Sequence, residues 1–417
     1  MTVDRFRTAQ KDGKFDRVYE EIRQGRMTCH CMWYIFPQLK GLGSGPTTHY
    51  YGLDGPDEAR EFWSDRILRE RLTRITGEVL NHSDKSAQEI FGHVDAMRLR
   101  SCMTLFENVT NMPIFSDVLD TFFGGERDGR TVFLLTGVDQ DPPATYEENA
   151  SVFRDTMSLC RNDDRLSVSI RESIANQQYI PGDYELEPVD NRYSETYVYV
   201  EPARTLQAAK EQVREKSFFL EYGGRICVLN FANAYTPGGC AEMGTSTQEE
   251  ALCRSSTLYP CISTEEAMER FYRPHGSEAT SLGFSDIIYT PDVVVFKTDE
   301  SHPVLMDADS WFNVDVITCA APDIRWSDVD DMQIRKVFRE RFMRIIDVAA
   351  RNDAIVLILG AFGCGIFGND PALVAEAAKE AIKESMGKIP QIVFAIPDNG
   401  KDDNFNLFFQ EFVGWGH

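Results

Sequence analysis

The sequence predicts an α/β domain, with helices on both faces of a mostly parallel or mixed sheet, preceded by a separate all-helical domain. Short continuous apolar runs in the C-terminal part are typical of strands buried on both faces of a sheet. Amphipathic helical patterns alternate with these runs, as expected for helices that cover a sheet. The first 137 residues carry helical periodicity and no convincing alternating strand.

Residues 1–137 are expected to fold as helices, because their apolar side chains recur at helical spacing. Residues 41–46 are expected to form a loop, and Gly124 and Gly125 are expected to end the last helix. The clearest predicted helices cover residues 16–24, 57–72, 97–109 and 114–123.

A polar linker is predicted at residues 138–145, where two adjacent prolines oppose regular structure. The second domain is assigned to residues 146–417, beginning with a helix over residues 146–159 and a charged, irregular stretch to Arg192. Strands and helices then alternate. The predicted strands cover residues 197–201, 226–231, 293–296, 314–319, 355–359 and 392–396, and the predicted helices cover residues 205–216, 332–350 and 372–386.

Composition restricts the class of protein. A hydrophobic share of 42% is enough for folded cores and argues against general disorder. A net charge of −23 argues against nucleic acid or anionic membranes as partners recruited by general electrostatics. Neither a signal peptide nor a membrane span of about 18–20 apolar residues is recognisable. A cytoplasmic or nucleocytoplasmic protein is expected, and its ten cysteines, which form no Cys-x-x-Cys pair, are expected to be reduced thiols.

The first candidate site follows the strand predicted at residues 226–231. A Pro-Gly-Gly turn, whose glycines permit close approach of a ligand, is followed by a Gln-Glu-Glu sequence at the start of a predicted helix. Adjacent carboxylates suggest protonation of a leaving group, for which a general acid needs a pKa of roughly 6–7. Burial and a neighbouring carboxylate raise that pKa, and the helix dipole lowers it. The candidate residues here are Asn233, Gly238, Gly239, Cys240, Gln248, Glu249 and Glu250.

The second candidate site is a glycine loop at residues 360–368, directly after another predicted strand. Neither loop contains Lys or Arg, so an anion would be bound by backbone N–H groups and helix N-termini. The loop fits a Gly-x-Gly-x-x-Gly pattern, but too little chain follows for a dinucleotide-binding half, and no P-loop motif occurs. Both loops are expected at the carboxyl ends of the strands. The candidate residues here are Gly363, Cys364, Gly365, Ile366 and Phe367.

The two motifs together resemble the microbial-type poly(ADP-ribose) glycohydrolases, which are macrodomain enzymes. The similarity lies in Asn-Phe-Ala-Asn, Pro-Gly-Gly and Gln-Glu-Glu within residues 230–250, then Leu-Cys-Arg-Ser-Ser-Thr-Leu-Tyr-Pro, and in residues 359–371. It extends over residues 146–417 and implies a macrodomain-like three-layer α/β/α fold with a mixed sheet. Cys240 stands at the third glycine position of the family, where a positive φ would be unfavourable.

The resemblance implies hydrolysis of the ribose–ribose O-glycosidic bonds of poly(ADP-ribose), with release of ADP-ribose and with no metal or cofactor. Glu250 is the expected acid and then base, and Glu249 is expected to bind ribose hydroxyls. Gln248 would orient Glu249 or the loop, Asn233 would bind a ribose hydroxyl, and Phe367 would lie against the ligand. The diphosphate would be held by the backbone of Gly238, Gly239, Gly363 and Gly365.

Alternatives remain open at this point. The two glutamates could cap a helix, Asn233 could stabilise a turn and Phe367 could be a core aromatic. The chain could remove single ADP-ribose groups from protein, nucleic acid or small molecules, or bind ADP-ribose without cutting it. The N-terminal domain resembles an all-helical family of unassigned function through residues 30–39 and 99–106. Its polar motif residues could be structural or could bind a nucleotide-like ligand; they are His30, Trp33, Arg98, Arg100 and Ser101.

Overall fold

The structure is a computed structural model that describes residues 3–29, 31–40, 42, 46–110, 112–136, 143–216, 223–277, 282–325, 329–398 and 402–415. The chain divides into two compact units, Met1–Pro142 and Pro143–His417. The predicted linker falls at this division, and its residues 138–142 lie outside the described part.

The first unit is helical, as predicted. Its core is rich in aromatic side chains, with Phe6, Phe62, Phe106 and Phe115 all fully buried. Within the described residues, the nearest feature to a strand is a single bridge between Leu39 and Leu53. The helices are Asp4–Ala9, Lys14–Arg23, Met32–Ile35, Pro46–Tyr51, Gly55–Ser64, Arg66–Leu80, Ala87–Phe91, His93–Thr110, Pro113–Phe123 and Gly129–Thr136.

Two boundaries in this unit have local causes. The single helix expected over residues 57–72 is divided at Asp65, whose carboxylate accepts the N–H groups of Ile67 and Leu68 and so begins a new helix. Gly124 ends the Pro113–Phe123 helix in the left-handed conformation, with φ +59°, as the sequence predicted. Most of the loop expected at residues 41–46 lies outside the described residues.

Two cysteines of the first unit lie close together. The Cα atoms of Cys29 and Cys31 are 5.4 Å apart, a separation that a disulfide can bridge. That these thiols are reduced stays a prediction. The remaining cysteines are free, and most of them are buried.

The second unit is built on a mixed sheet of seven strands within the described residues, in the order β1-β4-β5-β3-β6-β7-β2. Strands β2, β7, β6, β3 and β5 are mutually parallel, and β4 runs antiparallel to β5 and to β1. The strands are β1 (Gln178–Ile180), β2 (Tyr197–Glu201), β3 (Arg225–Phe231), β4 (Ile287–Val295), β5 (Phe312–Cys319), β6 (Ala354–Leu359) and β7 (Gln391–Ala395).

Helices cover both faces of this sheet, because the central strands are apolar on both sides. One face packs against the Asp331–Arg351, Pro371–Glu384 and Asn404–Phe412 helices. The other packs against a second layer that contributes Phe153, Leu206 and Leu252. The macrodomain-like three-layer fold is thereby confirmed. The helices of this second layer are Tyr146–Asn162, Thr205–Glu215 and Gln248–Ser255, with Asp164–Ala175, Leu258–Ile262, Glu265–Ala267 and Arg273–Ser277 nearby in sequence.

The irregular stretch expected up to Arg192 is partly wrong, since it contains the Asp164–Ala175 helix and β1. The Asp163 carboxylate caps that helix by accepting the N–H groups of Arg165 and Leu166. Strand β4 is longer than the predicted residues 293–296, because the pairing with β5 continues past an irregularity around Pro291.

The fold places the two glycine loops side by side. Strands β3 and β6 are parallel neighbours, and each is followed directly by one of the loops. Both loops therefore lie at the same carboxyl edge, as predicted. In the described parts of the chain, no helix combines the length and the apolar character that crossing a membrane requires.

Candidate active site

A cavity of about 670 Å³ opens at this carboxyl edge. That volume is in the range of small-molecule sites. Residues at the ends of four parallel strands contribute to its wall, namely Phe231, Ala321, Ala361 and Ala395. Most of the predicted site residues also line it: Asn233, Cys240, Gln248, Glu249, Glu250, Gly363, Gly365, Ile366 and Phe367. Three others, Gly238, Gly239 and Cys364, are not part of the wall.

Glu249 is buried beneath the first loop, with 2% of its surface exposed. Its Oε2 accepts the N–H of Asn233 at 2.7 Å, and its Oε1 accepts the N–H of Gly238 at 3.2 Å and the side-chain amide of Asn230 at 3.3 Å. Burial raises the pKa of Glu249 to about 8, an effect that the nearby Glu250 carboxylate reinforces and these hydrogen bonds oppose. Burial therefore favours the neutral form of the Glu249 side chain.

Glu250 is also buried, at 5% exposure, and lies in the cavity wall. Its Oε1 accepts the N–H of Cys240 at 3.1 Å, and its Oε2 accepts a hydrogen bond from the Thr247 hydroxyl. Two donors from different segments thus hold the carboxylate. The carboxylate is buried in the cavity wall and is not exposed to bulk water. This is the position that a general acid requires.

The first loop is organised around these glutamates. The N–H of Gly238 donates to Glu249, and that of Gly239 donates to the Thr236 carbonyl at 3.0 Å. Both glycines have positive φ, +65° and +56°. Their amides are therefore already used within the protein, and the role of these glycines is to bring the loop backbone close to the two carboxylates.

Gln248 connects the start of its helix to the sheet. Its Oε1 accepts the N–H of Phe231 at 2.9 Å, while its Nε2 donates to the Leu229 carbonyl at 2.7 Å and to the Thr205 hydroxyl at 3.1 Å. A side chain held at both ends fixes the first turn, which also carries Glu249. This geometry is that of a positioning residue.

The Asn233 side chain stabilises a turn and also lies at the cavity. Its Oδ1 accepts the N–H groups of Tyr235 and Thr236, which stabilises the turn. The residue also lines the cavity, and within the described residues its Nδ2 makes no hydrogen bond. That amide is therefore available to a ligand hydroxyl.

Cys240 accommodates the loop without a left-handed backbone. Its φ is −109°, so the position does not require glycine. The positive φ that the sequence suggested as unfavourable for Cys240 is therefore not adopted by this residue. Its N–H reaches Glu250 as a glycine N–H would.

The second loop offers free backbone donors. Within the described part of the chain, no acceptor pairs with the N–H groups of Gly363, Gly365, Ile366 or Phe367, and all four residues line the cavity. Asn369 shapes the loop by donating to the carbonyls of Gly363 and Pro322 at 2.9 and 2.8 Å. Successive backbone N–H groups without an acceptor are a feature of anion-binding concavities.

Two arginines at the cavity were not expected from the sequence. Arg325 lies against the Phe367 ring, 5.7 Å from its centroid, and pairs with Asp323. Arg204 follows β2 and lies 3.8 Å from the buried carboxylate of Asp299. Neither residue is near a glycine loop in sequence, so no local signal could have found them. The two glycine loops contain no Lys or Arg, as the sequence showed, and these arginines reach the cavity from other segments.

The polar candidates of the first unit make internal contacts where they are described. The Arg98 guanidinium lies over Trp33 at 4.4 Å and pairs with Asp95. Arg100 donates to the Arg127 carbonyl, and the buried Ser101 hydroxyl donates to the Met97 carbonyl. His30 lies outside the described residues. These contacts match the structural interpretation of Arg98, Arg100 and Ser101.

The described residues contain no group of three or more His, Cys, Asp or Glu side chains arranged to hold a metal ion. The fold and the site thus define an α/β domain with two buried glutamates beside a glycine loop whose described N–H groups include four without an acceptor.

Comparison with known families agrees with this architecture. Residues 150–298 match the family model described as microbial-type PARG, catalytic domain, where PARG stands for poly(ADP-ribose) glycohydrolase. Residues 1–135 match a family described as a protein of unknown function, DUF1810. No curated protein matches the chain.

Solved structures support the same assignment. The poly(ADP-ribose) glycohydrolase from Thermomonospora curvata is 25% identical, with a TM-score of 0.54 over 64% of this chain and 100% of that one. The enzyme from Deinococcus radiodurans, solved in complex with ADP-ribose, is 29% identical, with a TM-score of 0.51 over 58% of this chain and 96% of that one. The predicted resemblance is confirmed: residues 150–298 match the catalytic-domain family model, and the second unit is similar to solved poly(ADP-ribose) glycohydrolase structures.

Proposed function

We propose that the second unit hydrolyses the ribose–ribose O-glycosidic bonds of poly(ADP-ribose) and releases ADP-ribose. The observation that supports this most strongly is the placement of Glu250. Its buried carboxylate shares one cavity with the unpaired N–H groups of the second loop. A diphosphate held by those amides would bring the attached ribose towards an acidic side chain.

In this proposal the second loop binds the diphosphate. The N–H groups of Gly363, Gly365, Ile366 and Phe367 supply the donors, and Arg325 and Arg204 add positive charge on the cavity wall. The Phe367 ring, braced by Arg325, lies against the ligand. The first loop does not bind phosphate; it holds the two glutamates.

Glu250 acts as the general acid and then as the base. Its proton passes to the departing ribose oxygen as the glycosidic bond breaks, and the resulting carboxylate takes a proton from the water that attacks the anomeric carbon. The products are ADP-ribose and a chain that ends in a free hydroxyl. The second proton restores the acid form of Glu250.

Glu249 binds the ribose hydroxyls beside the cleaved bond. Because burial raises its pKa to about 8, it adds little negative charge near the diphosphate at neutral pH. Gln248 fixes the turn that carries both, and Asn233 Nδ2 is available to a ribose hydroxyl.

The test is incubation of the full chain with poly(ADP-ribose) and, separately, with a mono-ADP-ribosylated protein, followed by mass spectrometry of the products. Free ADP-ribose from the polymer is expected. Release from the single adduct alone would replace this proposal with mono-ADP-ribosyl hydrolysis. Tight ADP-ribose binding with no product from either substrate would indicate a non-catalytic binding module.

A further inference from the structure

The segment at residues 244–247 controls the position of the Glu250 carboxylate. Thr245, Ser246 and Thr247 line the cavity, and the Thr247 hydroxyl donates to Glu250 Oε2. The other oxygen of Glu250 is held by the first loop through Cys240. If the 244–247 segment moved, Glu250 would lose one of its two donors and its carboxylate could rotate.

The Tyr146–Asn162 helix holds one end of this segment. Asn149 is buried on that helix, and its side-chain amide donates to the Gly244 carbonyl at 3.1 Å. Gly244 has φ +82°, and a Cβ at that position would overlap the Tyr146 carbonyl. The helix backbone and the segment are therefore in direct contact, and the side-chain amide of Asn149 fixes their relative position.

The same helix reaches the segment a second time through Arg254. The Thr156 hydroxyl, fully buried, donates to the Arg254 carbonyl at 2.5 Å. The Arg254 guanidinium donates in turn to the Thr245 carbonyl. Asn149 and Thr156 are two helical turns apart, so they lie on one face of the helix.

We propose that Asn149 and Thr156 are positioning residues for Glu250. Through the 244–247 segment they keep the Thr247 hydroxyl on the carboxylate, so the Tyr146–Asn162 helix is part of the catalytic apparatus as well as part of the core. This inference rests on the proposed function. It assigns to the start of the domain a role in catalysis, and it predicts an effect on turnover that is separate from ligand affinity.

The test compares full-length Asn149→Ala and Thr156→Val with wild type on poly(ADP-ribose). Turnover is expected to fall ~10–100-fold, because a small displacement of a reacting group is enough for such a loss. The affinity for ADP-ribose, measured by calorimetry, is expected to be unchanged, since neither side chain lines the cavity. Thr156→Ser keeps the hydroxyl and should restore turnover.

Asn162→Ala is the matched control, because Asn162 is an exposed residue on the same helix and its amide contacts only Ser158 within the described residues. Hydrogen exchange of residues 244–250 should accelerate in Asn149→Ala and Thr156→Val and not in the control. Normal turnover with normal exchange protection in both variants would overturn the inference.

Failure of the inference and failure of the proposed function are distinguishable. If wild type releases no ADP-ribose, the proposed function fails, and the exchange measurement still decides whether the helix holds the segment. If wild type is active and both variants match it, only the positioning role fails. If a variant proves too unstable to assay, Thr156→Ser against Thr156→Val at lower temperature provides the same comparison.

Discussion

Gly239 lies so close to Glu250 that no side chain fits between them. Its φ is +56°, and a Cβ built on it would lie 2.5 Å from Glu250 Oε1 and 3.4 Å from Glu249 Oε2. The requirement for glycine at this position thus comes from the protein's own carboxylates. The close approach lets the N–H of the following residue, Cys240, reach Glu250.

We expect Gly239→Ala to lower turnover more than stability. The left-handed backbone costs an alanine about 1–2 kcal/mol, and the new methyl group must displace the Glu250 carboxylate. Activity should fall ~10–100-fold through the misplaced acid. The measurement is release of ADP-ribose from poly(ADP-ribose), with thermal unfolding of the same preparation.

Gly276→Ala is the control for this variant, since Gly276 lies on the Arg273–Ser277 helix with open space around its Cβ position. Unchanged turnover in Gly239→Ala would show that the close approach to Glu250 is unimportant.

Gly363→Ala should act on ligand binding. Gly363 has φ +78°, and a Cβ there would lie 2.7 Å from the Ala321 Cβ and 2.9 Å from the Asn369 amide that shapes the loop. The loop must shift, and its unpaired N–H groups then change position. Calorimetry should show a loss of ADP-ribose affinity of about tenfold or more, equivalent to ~1.4 kcal/mol. Wild-type affinity in this variant would contradict a diphosphate site in the second loop.

Glu249 should make stability depend on pH. Its folded pKa of about 8 is higher than the ordinary glutamate value of 4.5, so the folded state binds more protons than the unfolded state between these values. The stabilising contribution of the neutral side chain is complete below about pH 4.5 and is lost as the pH rises through 8.

Denaturant unfolding between pH 5 and pH 9 measures this dependence. Wild type is expected to lose more stability with rising pH than Glu249→Gln, whose buried side chain cannot ionise. Parallel pH profiles for the two proteins would mean that burial does not hold the Glu249 carboxyl in its neutral form.

The sequence predicted most of the second unit because its central strands are apolar on both faces. Strand β3, expected at residues 226–231, is observed at Arg225–Phe231, and β6, expected at residues 355–359, is observed at Ala354–Leu359. Strand β4 was only partly recognised, because Pro291 interrupts its apolar pattern. The Asp164–Ala175 helix was missed, since the charged residues around it hide its narrow apolar face.

The site was predictable where chemistry follows a local motif. Glu249, Glu250 and Gln248 lie at the cavity because one helix turn carries them. Which acceptor each loop N–H group would find was not predictable, because it depends on the φ angles of the loop and on the distance to a carboxylate. The contributions of Arg204 and Arg325 depend on strand order, which no local pattern in the sequence contains.

The central claim is that Glu250 delivers the proton that breaks the ribose–ribose bond. Its most direct test is Glu250→Gln, which keeps the size of the side chain and removes the acid. Glu242→Gln is the matched control, because Glu242 is exposed and contacts only the Tyr259 hydroxyl among described residues. Glu250→Gln is expected to bind ADP-ribose like wild type and release none from poly(ADP-ribose), whereas near-normal release would contradict the assignment.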